Sequence, residues 1–440
     1  MWHGVGELSR QWLRRRLGVF DIYALVHADT QSTFYFLAGY VALAAGLWGF
    51  VGTVYGVVLM AAIALTYGEM GSRFPETGGS YLYVKYSFGA AVAYLSTWLL
   101  AFDQVVMVAY GTIDAAKAVL KLLHGATGAF EVLLALVFSG VLFLLALLGI
   151  RESASWGKAV AVMDLTLMFS LIVTALATSP SAPPFFNWGG VEAANLFLAF
   201  SLLSRGFTGL DALGQLAGEA REPLVQVPKA TVLLITIGAL GALGLMASIM
   251  SALTPHDLTD PAIAPVLLAE KIHPVLYYLV AANIIAVMLT AALTGYIAFS
   301  RLTYILADEG HLPPHFWRLH KRFRTPHISL TVAFTASLLL IYVGEIKIIL
   351  AIYALGSLIN YLLVALALAK ASRSGTLHGA FSTPLIAGIP LSAWIAMALI
   401  PIGIALTLIE KYPYLWAWGL WIAAGLILYY YRKTAARSRP

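Results

Sequence analysis

Residues 204–211 read Ser-Arg-Gly-Phe-Thr-Gly-Leu-Asp and lie inside an otherwise apolar run that extends from residue 193 to residue 216. The two glycines of this stretch weaken a helix near its middle, and Arg205 brings a charge to the same place. Lipid offers no partner to free backbone groups or charges, so such residues are tolerated in a span only where they face protein or a water-filled path. The stretch therefore predicts a membrane span that is broken at a functional site.

A second polar interruption lies in the first apolar run of the chain. Residues 27–33 read His-Ala-Asp-Thr-Gln-Ser-Thr, about halfway along that run. Each interrupted segment opens a block of five apolar runs. Corresponding interruptions in two halves of a chain are the sequence mark of an inverted-repeat transporter with its site near the bilayer midplane.

The composition excludes a soluble enzyme. Of 440 residues, 60% are hydrophobic and 11% charged, with a mean hydropathy of +0.85, whereas soluble domains are about half apolar and a quarter charged. The chain has no cysteine, which removes disulfides and thiolate chemistry. It also has no GxxxxGK[ST] or HExxH motif, so we expect no enzyme and no cofactor, and no metal can be assigned.

Windows of about 20 apolar residues, the length that spans the hydrocarbon core, predict an all-α polytopic membrane protein with twelve transmembrane helices. They lie at about 20–44, 49–70, 88–121, 130–149, 158–178, 193–216, 229–252, 275–306, 328–344, 348–370, 384–408 and 413–431.

The basic residues predict which side of the membrane each loop occupies. With both termini cytoplasmic, 21 of the 27 Lys and Arg residues fall on the inner side and five on the outer side, as the positive-inside rule requires. This sorting explains the formal charge of +6 without a nucleic-acid partner. The partners we expect are the lipid bilayer and a small molecule or ion, in a cell membrane of prokaryotic type; the oligomeric state stays open.

The same pattern divides the chain into five segments. They are a basic cytoplasmic arm (1–18), helices 1–5 (19–178), helices 6–10 (179–370), helices 11 and 12 (371–431) and a basic tail (432–440).

Four stretches resemble the permeases of the amino acid, polyamine and organocation (APC) superfamily. Residues 69–89 (EMGSRFPETGGSYLYVKYSFG) resemble the segment after the second helix, and residues 149–154 (GIRESA) are similar to the start of the fifth. Residues 207–212 (FTGLDA), with 218–223 (GEAREP) and 227–230 (VPKA), look like the sixth helix and its loop; residues 300–313 (SRLTYILADEGHLP) look like the end of the eighth. The resemblance implies the leucine-transporter fold, in which helices 1–5 and 6–10 are inverted repeats, helices 1 and 6 are unwound, and helices 11 and 12 are peripheral.

The first helix departs from the family pattern. Its expected break aligns with Gln31-Ser32-Thr33, where the family's amino acid carriers have two glycines whose neighbouring N–H groups cradle a carboxylate. Asp29, with the hydroxyls that follow, is instead reminiscent of the potassium-transporting branch.

The candidate substrate-binding residues are those of the two predicted breaks. They are Asp29, Thr30, Gln31, Ser32, Thr33, Arg205, Gly206, Phe207, Thr208 and Gly209. Arg205 falls where the family generally has an aromatic gate residue. We expect it either to hold an anionic group of the solute or to pair internally with Asp29 or Asp164.

The candidate coupling-ion residues lie on helices 1, 5 and 8. Asp164 aligns with a position where some proton-coupled members of the family place a lysine. His27 is either a packing or supporting histidine or a second proton-coupling group. Thr290 and Thr294 lie on one face of helix 8, which the family fold turns toward helix 1. Residues that could support or gate the site are Tyr35, Asp103 and Tyr110.

Three functions remain open on these grounds. The first is a secondary active transporter of amino acids or related small amines, coupled to H⁺ and working by alternating access with a midplane site between unwound helices 1 and 6. The second is a transporter of an inorganic cation, K⁺ or a divalent metal. The third is a non-transporting membrane sensor.

Overall fold

The computed structural model describes residues 15–74, 78–123, 128–178, 193–343, 354–375, 379 and 381–437. Within these ranges the chain is almost entirely helical. The α-helices are α1 (Val19–Ala45), α2 (Trp48–Gly71), α3 (Gly79–Phe88), α4 (Ala90–Leu122), α5 (Ala129–Leu148), α6 (Ile150–Thr178), α7 (Ala193–Leu203), α8 (Ala212–Gln215), α9 (Pro223–Ala252), α10 (Ala264–Ile272), α11 (Pro274–Asp308), α12 (His327–Val343), α13 (Leu355–Arg373), α14 (Leu391–Lys411) and α15 (Leu415–Arg437). Strands β1 (Leu385–Ile386) and β2 (Ile389–Pro390) form a short antiparallel hairpin before α14.

Eight of the described helices are long and apolar enough to cross a membrane: α2, α4, α5, α6, α9, α11, α13 and α14. The chain is therefore a polytopic helical membrane protein, as its composition predicts. The twelve-span count remains a prediction. Part of the predicted tenth span, residues 348–353, lies outside the described residues.

Helix α1 is the central helix of the fold. Every residue from Ile22 to Tyr35 is buried, and the helix packs against α6, α7, α9 and α11. A helix that is buried on all sides tolerates polar residues only where neighbouring helices provide partners for them. The polar residues of α1 therefore face protein rather than lipid.

The predicted break in the first helix is wrong, because α1 runs without interruption from Val19 to Ala45. No glycine occurs between residues 28 and 38 to release the backbone. The hydroxyls of Thr30 and Ser32 instead donate to the carbonyls of Val26 (2.8 Å) and Asp29 (3.0 Å) within the same helix. Such bonds keep small polar side chains inside a continuous helix.

The predicted break in the sixth span is confirmed. Helix α7 ends at Leu203 and α8 begins at Ala212, with non-helical residues 204–211 between them. The N–H of Gly206 donates to the carbonyl of Leu203, a tightened final turn, and Gly209 has a φ of +86°. Glycine adopts that conformation without the strain a side chain would bring.

The N-terminal end of α1 is tied to the loop that follows α8. The N–H groups of Arg16 and Leu17 both donate to the carbonyl of Glu219, at 2.8 and 2.9 Å, and the N–H of Arg221 donates to Leu17. Residues 15–17, which these bonds hold, are called the strap. The side chain of Glu219 also accepts a bidentate ion pair from Arg301, at 2.8 and 3.1 Å, and both side chains are buried. The C-terminal half of α1 is fixed as well, because Gly39 packs directly on the backbone of Pro261.

Asp103 on α4 caps the start of α13. Its Oδ2 accepts hydrogen bonds from the backbone N–H of Ser357 (2.6 Å) and from the Ser357 hydroxyl (2.7 Å). The N–H groups of a first helical turn have no partner within the helix, so an acidic side chain there stabilises the turn. The sequence raised Asp103 as a gate or supporting residue, and its position is that of a cap.

We expect Asp103→Ala to lower the free energy of unfolding in detergent by about 1–3 kcal/mol, because the change leaves the buried N–H and hydroxyl of Ser357 without their acceptor. The fall in melting temperature measures this loss. Ser357→Ala removes the hydroxyl bond alone and should have a smaller effect. A larger loss for Ser357→Ala than for Asp103→Ala would contradict the capping role.

Candidate functional site

The polar residues of α1 face two different sides of the helix. Asp29 and Thr33 lie against the break in the sixth span, whereas His27, Gln31 and Tyr35 follow each other at intervals of four residues. Residues four apart share a face of a helix. The sequence grouped these side chains in one patch, and the fold divides them between two sites.

The first site joins Asp29 to the broken span. Gly209 lies so close to Asp29 that a Cβ on Gly209 would overlap the Asp29 carboxyl group. The Oδ1 atom of Asp29 is buried and has no hydrogen-bond partner among the described residues. A buried carboxylate without a partner is unfavourable unless a proton or a cation neutralises it.

Two further contacts hold α1 against the break. The hydroxyls of Thr33 and Thr208 lie 3.4 Å apart, and the rings of Phe34 and Phe207 stack with their centroids 5.2 Å apart. The predicted residues Asp29, Thr33, Phe207, Thr208 and Gly209 thus come together. Thr30 and Ser32 do not join them, since their hydroxyls are bonded within α1.

Asp211 is the second buried carboxylate beside the break. Its Oδ1 accepts from the hydroxyl of Tyr361 on α13 (2.9 Å), and its Oδ2 accepts from the amides of Gln215 (2.5 Å) and Gln104 (3.3 Å). The Tyr361 hydroxyl also accepts from the N–H of Gly209 (3.1 Å). Asp211 is close enough to Asp29 for the two carboxyl groups to interact electrostatically. Two buried carboxyl groups thus lie at the break, an arrangement suited to an amine or another cation.

The second site surrounds Asp164 on α6. Its carboxylate contacts Nε2 of His27 (2.8 Å), accepts from the Tyr35 hydroxyl (2.9 Å) and accepts from the side-chain amide of Asn283 on α11 (2.7 Å). Asp164 is 1% exposed and His27 3%. One buried carboxylate thus links α1, α6 and α11, and it brings together Asp164 and His27, two of the candidate coupling-ion residues.

The ring of His27 packs inside this cluster. Its Nδ1 atom is buried and has no hydrogen-bond partner among the described residues, and the ring stacks on Tyr23 with the ring centroids 5.1 Å apart. The hydrogen bond between His27 and Asp164 needs one proton, which either side chain can carry.

Thr290 and Thr294 lie on α11 away from the Asp164 carboxylate. The Thr294 hydroxyl donates to the carbonyl of Leu25 on α1 (3.2 Å), and the indole of Trp156 on α6 donates to the Thr290 hydroxyl (2.9 Å). Each hydroxyl is also within hydrogen-bond distance of the carbonyl one turn back. Thr294 thus contacts the first helix and Thr290 contacts α6, so the two hydroxyls connect helices.

Arg205 lies within the break, whereas Tyr110 lies on α4 and contacts α1 at Phe36. Arg205 is half-buried, and its Nε donates to the carbonyl of Ser201 (3.4 Å). Asp164, its proposed internal partner, is held by α1 and α11 instead. Tyr110 is buried and packs edge-on against Phe36 of α1 at 5.8 Å. Among the described residues, no group of three His, Asp or Glu residues could hold a metal ion.

The sequence missed Asn283, Gln104 and Tyr361. Asn283 is the one amide in the apolar run of α11, and a polar residue inside a membrane span is a sign of function or of buried pairing. That sign was present in the sequence. Nothing in the sequence distinguished Tyr361, because a tyrosine in an apolar helix usually only packs.

Comparison with known proteins identifies the family. The amino acid permease family profile matches residues 17–429. The chain is 28% identical to human cationic amino acid transporter 4 over 389 residues and 25% identical to the mouse protein over 383 residues. Each alignment covers 80% of this chain but only 59% of the relative's length. It is 23% identical over 459 residues to the branched-chain amino acid permease BcaP of Bacillus subtilis (strain 168), with 97% of this chain and 94% of that protein covered. These relatives are transporters and not enzymes, and the chain belongs to the amino acid permease family of the APC superfamily.

Proposed function

We propose that this protein is a secondary active transporter of amino acids or related small amines, coupled to H⁺ and working by alternating access. The observation that carries the proposal is the pair of buried sites on opposite faces of α1. One is the Asp29 carboxylate against the broken span, and the other is the Asp164 cluster. Because the solute site and the proton site share one helix, a movement of that helix alters both sites. Binding at one site can therefore change the affinity of the other.

The solute's amine is proposed to bind between Asp29 and the break. The free Oδ1 of Asp29 and the hydroxyls of Thr33 and Thr208 can accept hydrogen bonds from an ammonium group. Since α1 is continuous, its backbone N–H groups are engaged and offer no cradle for a carboxylate. Arg205, within the break, is the group proposed to hold the carboxylate of an amino acid.

The proton is proposed to bind at the Asp164 cluster. A proton taken up by the Asp164 carboxyl group removes the negative charge of the side chain that holds α1, α6 and α11 together. Hydrogen bonds to a charged group are stronger than those between neutral groups. Protonation therefore weakens the links between these helices and favours their relative movement.

The membrane arrangement belongs to the same proposal. It has twelve spans with both termini cytoplasmic, and α7 with α8 forms the sixth. Spans 1–5 and 6–10 are inverted repeats, and α14 and α15 are spans 11 and 12. The amino acid permease relatives and the eight long apolar helices support this arrangement.

The proposal is tested with the purified chain in proteoliposomes. The relatives' names include cationic, branched-chain, and glutamate and serine carriers, so labelled lysine, leucine, serine and glutamate are the first solutes. We expect an inward proton gradient to drive accumulation of at least one of them above the level at equal pH, and a protonophore to abolish that accumulation. Equal uptake with and without the gradient would refute proton coupling; no uptake or exchange of any amino acid or amine would refute the substrate class.

One observation favours a second candidate, transport of an inorganic cation. Two buried carboxylates, Asp29 and Asp211, lie beside the hydroxyls of the break, and oxygen groups are the ligands of K⁺ and other hard cations. In the same proteoliposomes, K⁺ or a divalent cation would then move without any amino acid and compete with labelled amine.

A further inference from the structure

A basic cavity lies at the N-terminal end of α1, outside both sites described above. Its volume is about 500 Å³, and it opens between the strap at residues 15–17, the start of α6 and Arg221. Five basic side chains and one carboxylate line it: Arg15, Arg16, Arg151, Lys158, Arg221 and Asp21. The carboxylate is already engaged, by Lys158 (2.8 Å) and by the N–H of Gly18 (2.7 Å).

A second cavity adjoins the first. It measures about 360 Å³ and is lined by Arg322 and Arg324 of the loop before α12, while Arg16 and Arg151 line both cavities. Two acidic residues, Glu152 and Glu219, also line it, and Glu219 forms an ion pair with Arg301. The two cavities together form a positively charged pocket whose guanidinium groups outnumber the carboxylates.

The position of the pocket in the bilayer follows from α6. Arg151, Ser155 and Lys158 line the cavity at intervals of four and three residues, so they share one face of the helix. Val162 lies on this face one turn beyond Lys158, and Trp156 is next to Ser155; both side chains are exposed. Tryptophan is enriched at the level of lipid headgroups. The pocket therefore lies at headgroup depth, on the side that the sequence predicts to be cytoplasmic.

We propose that this pocket binds a phosphate group, and that its source is the headgroup of an anionic phospholipid of the inner leaflet. Arginine pairs with phosphate through two parallel hydrogen bonds, and basic pockets between helices on the cytoplasmic side suit anionic headgroups. The α6 N-terminus, which begins at Ile150 beside the pocket, adds the positive end of a helix dipole. A bound headgroup joins the strap to α6 through Arg16 and Arg151.

The test measures thermal unfolding of the purified, delipidated chain in a zwitterionic detergent. Three additions are compared: phosphatidylglycerol, phosphatidylcholine and inorganic phosphate. We expect phosphatidylglycerol to raise the melting temperature and phosphatidylcholine to leave it unchanged. An equal rise with inorganic phosphate at matched phosphate concentration would assign the same pocket to soluble phosphate compounds and overturn the lipid source.

The variant Arg16→Gln/Arg151→Gln removes the two side chains that line both cavities. We expect it to weaken phosphatidylglycerol binding about 30-fold, and to reduce the phospholipid that copurifies with the protein, measured by mass spectrometry. The matched control, Lys229→Gln/Arg373→Gln, removes two exposed charges from the side predicted to be cytoplasmic, outside both cavities, and should bind lipid as the unmodified chain does. Equal loss in both variants, or no loss in the first, would overturn the site. Melting temperatures without lipid show whether either variant is folded.

Discussion

Asp164→Asn is expected to uncouple uptake from the proton gradient. Asparagine has the same shape but no proton to exchange, while it can still accept a hydrogen bond from Tyr35 or Asn283. Coupling between two sites in a protein is typically worth about 5–150-fold. Gradient-driven accumulation should therefore fall by about that factor to its level at equal pH, while exchange of labelled for unlabelled solute continues.

Two measurements make this result specific. His27→Gln should reduce coupling as well, since it removes the base that contacts Asp164 at 2.8 Å. Asp257→Asn, in the loop between α9 and α10 where its partner is Lys271 at 2.9 Å, is the matched control and should leave coupling intact. If Asp164→Asn accumulates solute as the unmodified chain does, Asp164 is not the proton site; if it loses exchange as well, its role is structural.

Gly209→Ala is expected to abolish solute binding and transport. The new methyl group would occupy the space of the Asp29 carboxyl group, and alanine at a φ of +86° is strained. Overpacking and such backbone strain each cost about 1–3 kcal/mol, so uptake should fall by about 100-fold or more. Uptake of labelled solute measures transport, and the rise in melting temperature on adding solute measures solute binding.

The control for this change is Gly140→Ala on α5. It adds the same methyl group where no atom lies within 4 Å, and it should leave uptake and stability unchanged. A second variant, Gly209→Ala with Asp29→Gly, removes the obstructing carboxyl group and should recover folding but not transport. If Gly209→Ala transports normally, the solute does not bind between Asp29 and the break.

The two predicted breaks had different physical bases, and their outcomes differ accordingly. In the sixth span, Gly206 and Gly209 weaken the helix themselves, and the break is there. In the first span, the break rested on alignment with a family pattern whose glycines are replaced by Gln31 and Thr33. The local chemistry of the residues, which favours a continuous helix, prevailed over the family resemblance.

The pairing of side chains across the fold was less accessible to sequence reasoning. His27 and Asp164 are separated by 137 residues, and only the packing of α1 on α6 brings them into contact. The sequence identified His27 and Asp164 as polar residues in apolar spans. It could not show whether Asp164 lies close to Arg205, its other proposed partner. The split of the α1 patch into two faces could have been predicted, since the spacing of residues 27, 31 and 35 is helical once the helix is taken as continuous.

The unbroken first helix changes how movement can pass through the molecule. Its 27 residues form a rod about 40 Å long, clamped at one end by the carbonyl of Glu219 and at the other by the backbone of Pro261. A helix with no hinge does not bend at its middle and tilts as a rigid body. In the proposed alternating-access cycle, release of the N-terminal end of α1 would move its two ends in opposite directions, so that one side of the solute site closes while the other opens.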